Sequence, residues 1–252
     1  MTLVTLLTDF GLADTYAGQV KGAILSVCPS ATIVDLTHAV PPQDVAAGAF
    51  LLWSAVEAFP SGAVHVGVVD PGVGSSRRAV ALRSARGDLF IGPDNGLLVP
   101  AAKRFGGVAQ AVELSRAEFW RPHASSTFHG RDIFAPVAGH LARGVQLEDL
   151  GPPVGDLVSL TIPEPDGPRG EVVHVDTYGN LVTNLAASGL PSHFSLRLGE
   201  HLIPSAPYYA AAVPGALLAL VGSAGLLEIS ARDASAATLT GAHRGTPVLL
   251  LA

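Results

Sequence analysis

The sequence predicts an α/β protein, with a mostly parallel sheet and flanking helices in its amino-terminal part and a small all-β barrel behind it. Three observations point to this. Apolar strand-like runs alternate with helix-spaced segments up to residue 143. A proline- and glycine-rich stretch at 151–170 follows, and beyond it only short β-like runs occur. Polar side chains collect just after the predicted strands, where α/β sheets assemble their pockets.

In order, residues 3–7 read as a short apolar strand, and 15–27 as a helix with Ala17, Val20, Ile24 and Val27 on one face. Residues 32–36 form a second strand, and 44–59 a second helix with Asp44 as its N-cap. Strands are expected at 64–69, 79–82 and 89–91, then a helix at 131–143. Strands and helices interleaved in this way imply a sheet covered on its faces. The later strands fall at 171–175, 181–185, 195–198, 217–221, 226–230 and 247–251, with no long helical period among them. The expected organisation is an α/β domain at 1–155, a linker at 156–170 and a β-barrel domain at 171–252.

Composition narrows the class. Of 252 residues 48% are hydrophobic and 14% charged, against roughly 25% charged in ordinary globular proteins. That shortage of charge fits a surface partly covered in an oligomer, or a simple bias towards small residues. A net charge of −6 argues against binding to nucleic acid. The single cysteine, Cys28, fits a reducing compartment and reads as a packed side chain. No basic segment precedes an apolar stretch at the start, and the apolar run 210–221 is too short to span a bilayer. The expectation is a soluble, cytoplasmic protein without membrane partners.

The densest chemistry lies in VVDPGVGSSRR, residues 68–78, where an apolar run ends at Asp70 and Arg77 can fold back beside it. An ion pair and an active-site pair are both open readings there. Asp9 and Asp14 follow the first strand, and Asp94, Asn95 and Gly96 follow another. Asp9 serves equally as a cap or a ligand, and the 94–96 segment has ordinary turn chemistry. His129 precedes Gly130, Arg131 and Asp132 at a helix start, and Asp176–Asn180 lies in the β region. Spacing alone supports an α/β enzyme with an acid-rich pocket. A metal-dependent phosphoester hydrolase built on Asp9, Asp14, Asp94 and His129 is a rival class, weakened by the lack of an HxH or paired DxH cluster.

The segments TDFGLADTYAGQVKGAI, VVDPGVGSSRR, IGPDNGLL, STFHGRDIFAPVAGHLA and VDTYGNLVTN stand in an order and spacing that add more. Together they span nearly the whole chain, which resembles the S-adenosyl-L-methionine (SAM) hydroxide adenosyltransferases, relatives of the fluorinase and chlorinase. The resemblance implies an α/β domain followed by a β-barrel, in a homotrimer with active sites between subunits. It implies hydrolysis of SAM to adenosine and methionine without metal or other cofactor. Asp70, Arg77 and His129 fall on the family's catalytic set. Asp9 falls on the ribose-binding position, Asp14 and Asp176 near the methionine amino group, and Asn180 at the adenine. Tyr178 is placed to pack on the base, and Ser223 to serve the amino-acid end, where Ala224 replaces the fluorinase's arginine. Asp70, Val73, Gly130, His129 and Gln43 stand where the fluorinase has tyrosine, threonine, serine, tyrosine and tryptophan. A carboxylate in place of hydroxyl donors favours water over halide as nucleophile. A halogenase, and a sensor that binds SAM or adenosine without turnover, are the remaining alternatives.

Overall fold

The apolar runs of the first region form a six-stranded sheet with helices on both faces. This computed structural model describes residues 2–191 and 193–251. Contacts divide the chain into two units, 1–160 and 161–252. The first sheet comprises β1 (Leu3–Thr8), β2 (Thr32–Thr37), β3 (Val64–Val68), β4 (Ala79–Ser84), β5 (Leu89–Pro93) and β6 (Val108–Glu113). Its order is β2-β1-β3-β5-β4-β6; the first four are parallel, and β4 runs antiparallel to both neighbours.

Alternation along the strands sorts the side chains into two cores. Val4 and Leu6 of β1, with Val64, Val66 and Val68 of β3, pack on Val20 and Ile24 of α1 (Tyr16–Val27). The same core takes Val137 and Leu141 of α4 (Ala135–Ala142). On the other face Leu7, Leu82 and Phe90 meet Leu52 of α2 (Val45–Ala55) and Ala101 of α3 (Val99–Arg104). Each such buried Val, Leu, Ile or Phe side chain contributes about 1.5–3 kcal/mol.

Asp44 does cap α2, accepting from the Ala47 N–H at 3.0 Å. The helix expected at 131–143 starts differently: Gly130–Phe134 is a π-helical turn, and the α-helix begins only at Ala135. Pro136 explains the change. It has no N–H to return to the Asp132 carbonyl, which accepts from the Arg121 N–H at 2.9 Å instead. Residues 156–160 are held to the first unit, with the Val158 N–H donating to Asp94 Oδ1 at 2.9 Å and Arg78 Nη1 donating to Asp156 Oδ1 at 2.6 Å.

The second unit contains β7 (Arg169–Val175), β8 (Leu181–Ala186), β9 (Ser195–Leu198), β10 (His201–Pro204), β11 (Leu217–Val221), β12 (Leu226–Ala231), α5 (Ala236–Thr240) and β13 (Pro247–Leu251). Its strands pair antiparallel in the order β10-β9-β13-β7-β8-β12-β11. The Ala206 N–H donates to the Ala219 carbonyl at 2.7 Å, so the two ends nearly close a barrel. Val172, Leu181, Leu196, Ile203, Leu227 and Ile229 fill it. Among the described residues no helix is long and apolar enough to cross a membrane.

Candidate active site

Parallel pairing of β1 with β3 puts Thr8 opposite Val68 at the carboxyl ends of two neighbouring strands. Asp9 leaves the first of these ends and Asp70 lies just past the second. A cavity of about 250 Å³ opens there, and Asp9, Gln43, Asp70, Val73, Thr127 and His129 contribute to its lining.

The 70–78 loop folds Arg77 back onto Asp70. Arg77 Nε donates to Asp70 Oδ1 at 2.9 Å, and Nη2 reaches Oδ2. The same Nη2 donates to His129 Nδ1 at 3.0 Å, so one guanidinium links the carboxylate to the imidazole. The Arg77 and Asp70 side chains are 11% and 6% exposed, which shields this charge pair from water. The guanidinium also lies over the Phe134 ring, 5.3 Å from its centre. Two glycines allow the approach. Gly74 has φ +77°, and a Cβ there would lie 2.4 Å from the Ser126 carbonyl oxygen, on the loop that leads to His129. A Cβ on Gly130 would press on the Phe10 ring at 3.2 Å. Asp132 anchors that second loop, accepting from Arg131 and from the Ser125 N–H.

Arginine only donates, so Nδ1 of His129 must carry the lone pair and the neutral ring keeps its proton on Nε2. Burial holds the His129 pKa below its ordinary value, and the Arg77 charge lowers it further, against the opposing pull of Asp70 and Asp132. Asp70 has both oxygens engaged by Arg77, yet each keeps a second lone pair for a further donor.

Asp9 is not a helix cap. The helix that follows has Thr15 at its N-cap, and Asp9 Oδ2 accepts from the Gln43 N–H at 2.9 Å. Gln43 has φ +65°, a conformation non-glycine residues seldom adopt, and the strain falls at the cavity. That backbone donor has no signature in the sequence. Asp94 is structural, as its turn chemistry favours: it is buried and accepts from Arg78 and the Val158 N–H. Asp14 is exposed and does not contribute to the lining of the cavity.

In the second unit Tyr178 and Asn180 line a cavity of about 740 Å³ together with Tyr209 and Arg232. Asp176 shapes the turn beneath them, accepting from the Tyr178 N–H and from both the backbone and side-chain amides of Asn180. Ser223 is exposed in the turn between β11 and β12, outside that lining.

Comparison with known proteins decides the family. The profile of the SAM hydroxide adenosyltransferase N-terminal domain matches residues 4–151, and that of the C-terminal domain matches 170–249. The chain belongs to the SAM hydroxide adenosyltransferase family. It is 45% identical to the (R)-S-adenosyl-L-methionine hydrolase of Salinispora arenicola, over 96% of this chain and 95% of that one. The fluorinase of Nocardia brasiliensis is 30% identical over 93% and 92%. A solved structure titled as an uncharacterized conserved protein from Thermotoga maritima superposes with a TM-score of 0.92 at 35% identity, covering 99% of this chain and 100% of that one.

In this SAM hydroxide adenosyltransferase the first-unit cavity combines three capacities. A neutral imidazole can donate from Nε2, a carboxylate can accept, and a fixed cation touches both. A single water fits such a set, accepting from the ring and donating to the acid. Asp9, on the neighbouring strand end, offers a carboxylate suited to a vicinal diol.

Proposed function

We propose that this protein hydrolyses SAM to adenosine and L-methionine by in-line attack of water on C5′ of the ribose. The observation that carries the reading is the Asp70–Arg77–His129 unit, hydrogen-bonded into one piece at a cavity shared with Asp9. The sulfonium is already a good leaving group, so methionine departs as a neutral thioether and needs no acid. Catalysis therefore falls on the nucleophile. In this reading His129 Nε2–H and Asp70 hold a water behind C5′ with one lone pair free. The C5′–O bond forms as the C5′–S bond breaks, and the water's proton passes to Asp70. Arg77 keeps Asp70 and His129 in register and offsets negative charge gathering on the attacking oxygen. Much of the acceleration comes from fixing the line of attack. A halide would meet the Asp70 carboxylate, which repels it.

Asp9 is assigned to the ribose hydroxyls, Asn180 and Tyr178 to adenine, and Asp14, Asp176 and Ser223 to the methionine end. We further propose a cytoplasmic homotrimer with sites between subunits; light scattering on the purified protein tests the trimeric state. For the reaction, SAM is incubated in water enriched in heavy oxygen. The label is expected on the 5′-oxygen of adenosine. Release of unlabelled adenosine, or recovery of intact SAM after prolonged incubation, would overturn the proposal.

A further inference from the structure

Behind the Asp9 loop lies a polar chain, buried at Thr8 and His38 and reaching the surface at Asp35 and Lys21, that the hydrolytic chemistry does not touch. His38 is 4% exposed. Its Nδ1 lies 2.8 Å from Thr8 Oγ1, and its Nε2 lies 3.1 Å from Asp35 Oδ1, off the line of a directed hydrogen bond. Thr8 is fully buried, and its Oγ1 accepts the Phe10 N–H at 3.2 Å. The His38 carbonyl accepts the Gly11 N–H at 2.7 Å, and the Val40 N–H returns to the Thr8 carbonyl at 3.3 Å. His38 therefore grips the chain on both sides of Asp9, by its ring through Thr8 and by its backbone at Gly11.

The hydrogen bonds have a consistent direction. The Asp35 carboxylate beside Nε2 favours the ring proton there, which leaves the Nδ1 lone pair to accept from Thr8 Oγ1, itself an acceptor from the Phe10 N–H. Burial raises the Asp35 pKa, but the bond from Lys21 and the close approach of the His38 ring outweigh it and hold the carboxyl below its ordinary value. Lys21 Nζ closes the chain at 2.6 Å from Asp35 Oδ2. A carboxylate that must hold two ribose hydroxyls at once has little tolerance for displacement. A buried ring and hydroxyl that fix its loop on both flanks supply that rigidity.

We propose that His38, with Thr8 and Asp35, is a positioning residue that holds the Asp9 carboxylate in the geometry that recognises the ribose diol. This rests on the assignment of Asp9 to the ribose, and the test separates the two. Calorimetry gives the affinities for adenosine and for 2′,3′-dideoxyadenosine. Their ratio reports diol recognition and does not depend on the fraction of protein that is folded. The native protein should prefer adenosine by about tenfold or more, the effect of losing charge-assisted hydrogen bonds. Asp9→Asn should reduce that preference to about threefold or less. His38→Ala should reduce it to the same extent, and His38→Asn, whose side-chain oxygen can accept from Thr8, should restore at least half of it. A native ratio in His38→Ala, alongside a collapsed ratio in Asp9→Asn, overturns the relay while leaving the ribose assignment standing. A native ratio in Asp9→Asn overturns the ribose assignment and the relay with it. If His38→Ala does not fold, Asp35→Asn decides: a ratio at least halved supports the relay, and an unchanged ratio overturns it.

Discussion

Arg77 is bonded to Asp70 through Nε and Nη2, and to His129 through the same Nη2. No lysine can repeat this, because a point-like ammonium lacks the planar fork. Arg77→Lys and Arg77→Met should both lower kcat by about a hundredfold or more while shifting KM for SAM far less. Steady-state kinetics checks the split, and near-native kcat in both would remove Arg77 from the chemistry. The pH dependence has a definite sign. In the proposed mechanism His129 acts neutral, and burial together with the Arg77 charge holds its pKa below the ordinary 6.5. Activity should therefore be fully present above that value and fall only as the pH drops through a lower one. In Arg77→Met one of the two lowering influences is gone, so the inflection should move up. NMR titration of the His129 ring reads the same shift directly, and a downward or absent shift contradicts the arrangement.

Two loops build the site, and they meet where Gly74 passes the Ser126 carbonyl. Gly74→Ala places a Cβ 2.4 Å from that oxygen, in a backbone conformation that disfavours any side chain. It should cost more than about 1 kcal/mol of stability and should also depress kcat, because Asp70 and Arg77 ride on one loop and His129 on the other. Denaturant titration with parallel kinetics checks both, and a native profile would mean that the loops are independent. These contacts also mark where the sequence stops being readable. Strand-end placement of Asp9 and Asp70 followed from apolar periodicity, since β1 and β3 are continuous buried runs. The Arg77–His129 bond spans 52 positions, a distance over which no local pattern reports. Arg77 and Arg78 are neighbours of the same type, yet Arg78 turns away to Asp94 and Asp156. Among the elements, α3 went unread because its six residues include a proline and are too few to show a period. Strands β6 and β10 are edge elements of six and four residues with little apolar alternation. The π-helical turn below His129 depends on a carbonyl partner at Arg121, which is set by tertiary structure.

At the scale of the molecule, strand β3 carries the loop of Asp70 and Arg77 at one end and the buried His65 near the other. His65 is completely buried, with its ring centre 6.0 Å from that of Phe59 and 5.0 Å from that of Phe90. Nδ1 meets Thr5 Oγ1 at 2.8 Å, while Nε2 is 3.8 Å from Asp88 Oδ1, beyond hydrogen-bond distance. Burial pushes its pKa down to about 4, and the Arg86 charge adds to this against the attraction of Asp88. The unfolded chain, with an ordinary value of 6.5, therefore takes up the proton first as the pH falls. Stability from this residue is complete above pH 6.5 and declines down to about pH 4, by about 3 kcal/mol over that window. His129 and His140 are also held low and add in the same direction. The His65 share is therefore the difference between the native protein and His65→Asn, whose amide can still meet Thr5 but cannot titrate. Both tryptophans, Trp53 and Trp120, lie in the first unit, so their fluorescence follows its unfolding separately from the β unit. Urea titrations at pH 7 and pH 4.5 should show a clearly smaller loss of stability in His65→Asn than in the native protein. Equal losses would mean that His65 gains its proton as readily in the folded protein as in the unfolded chain.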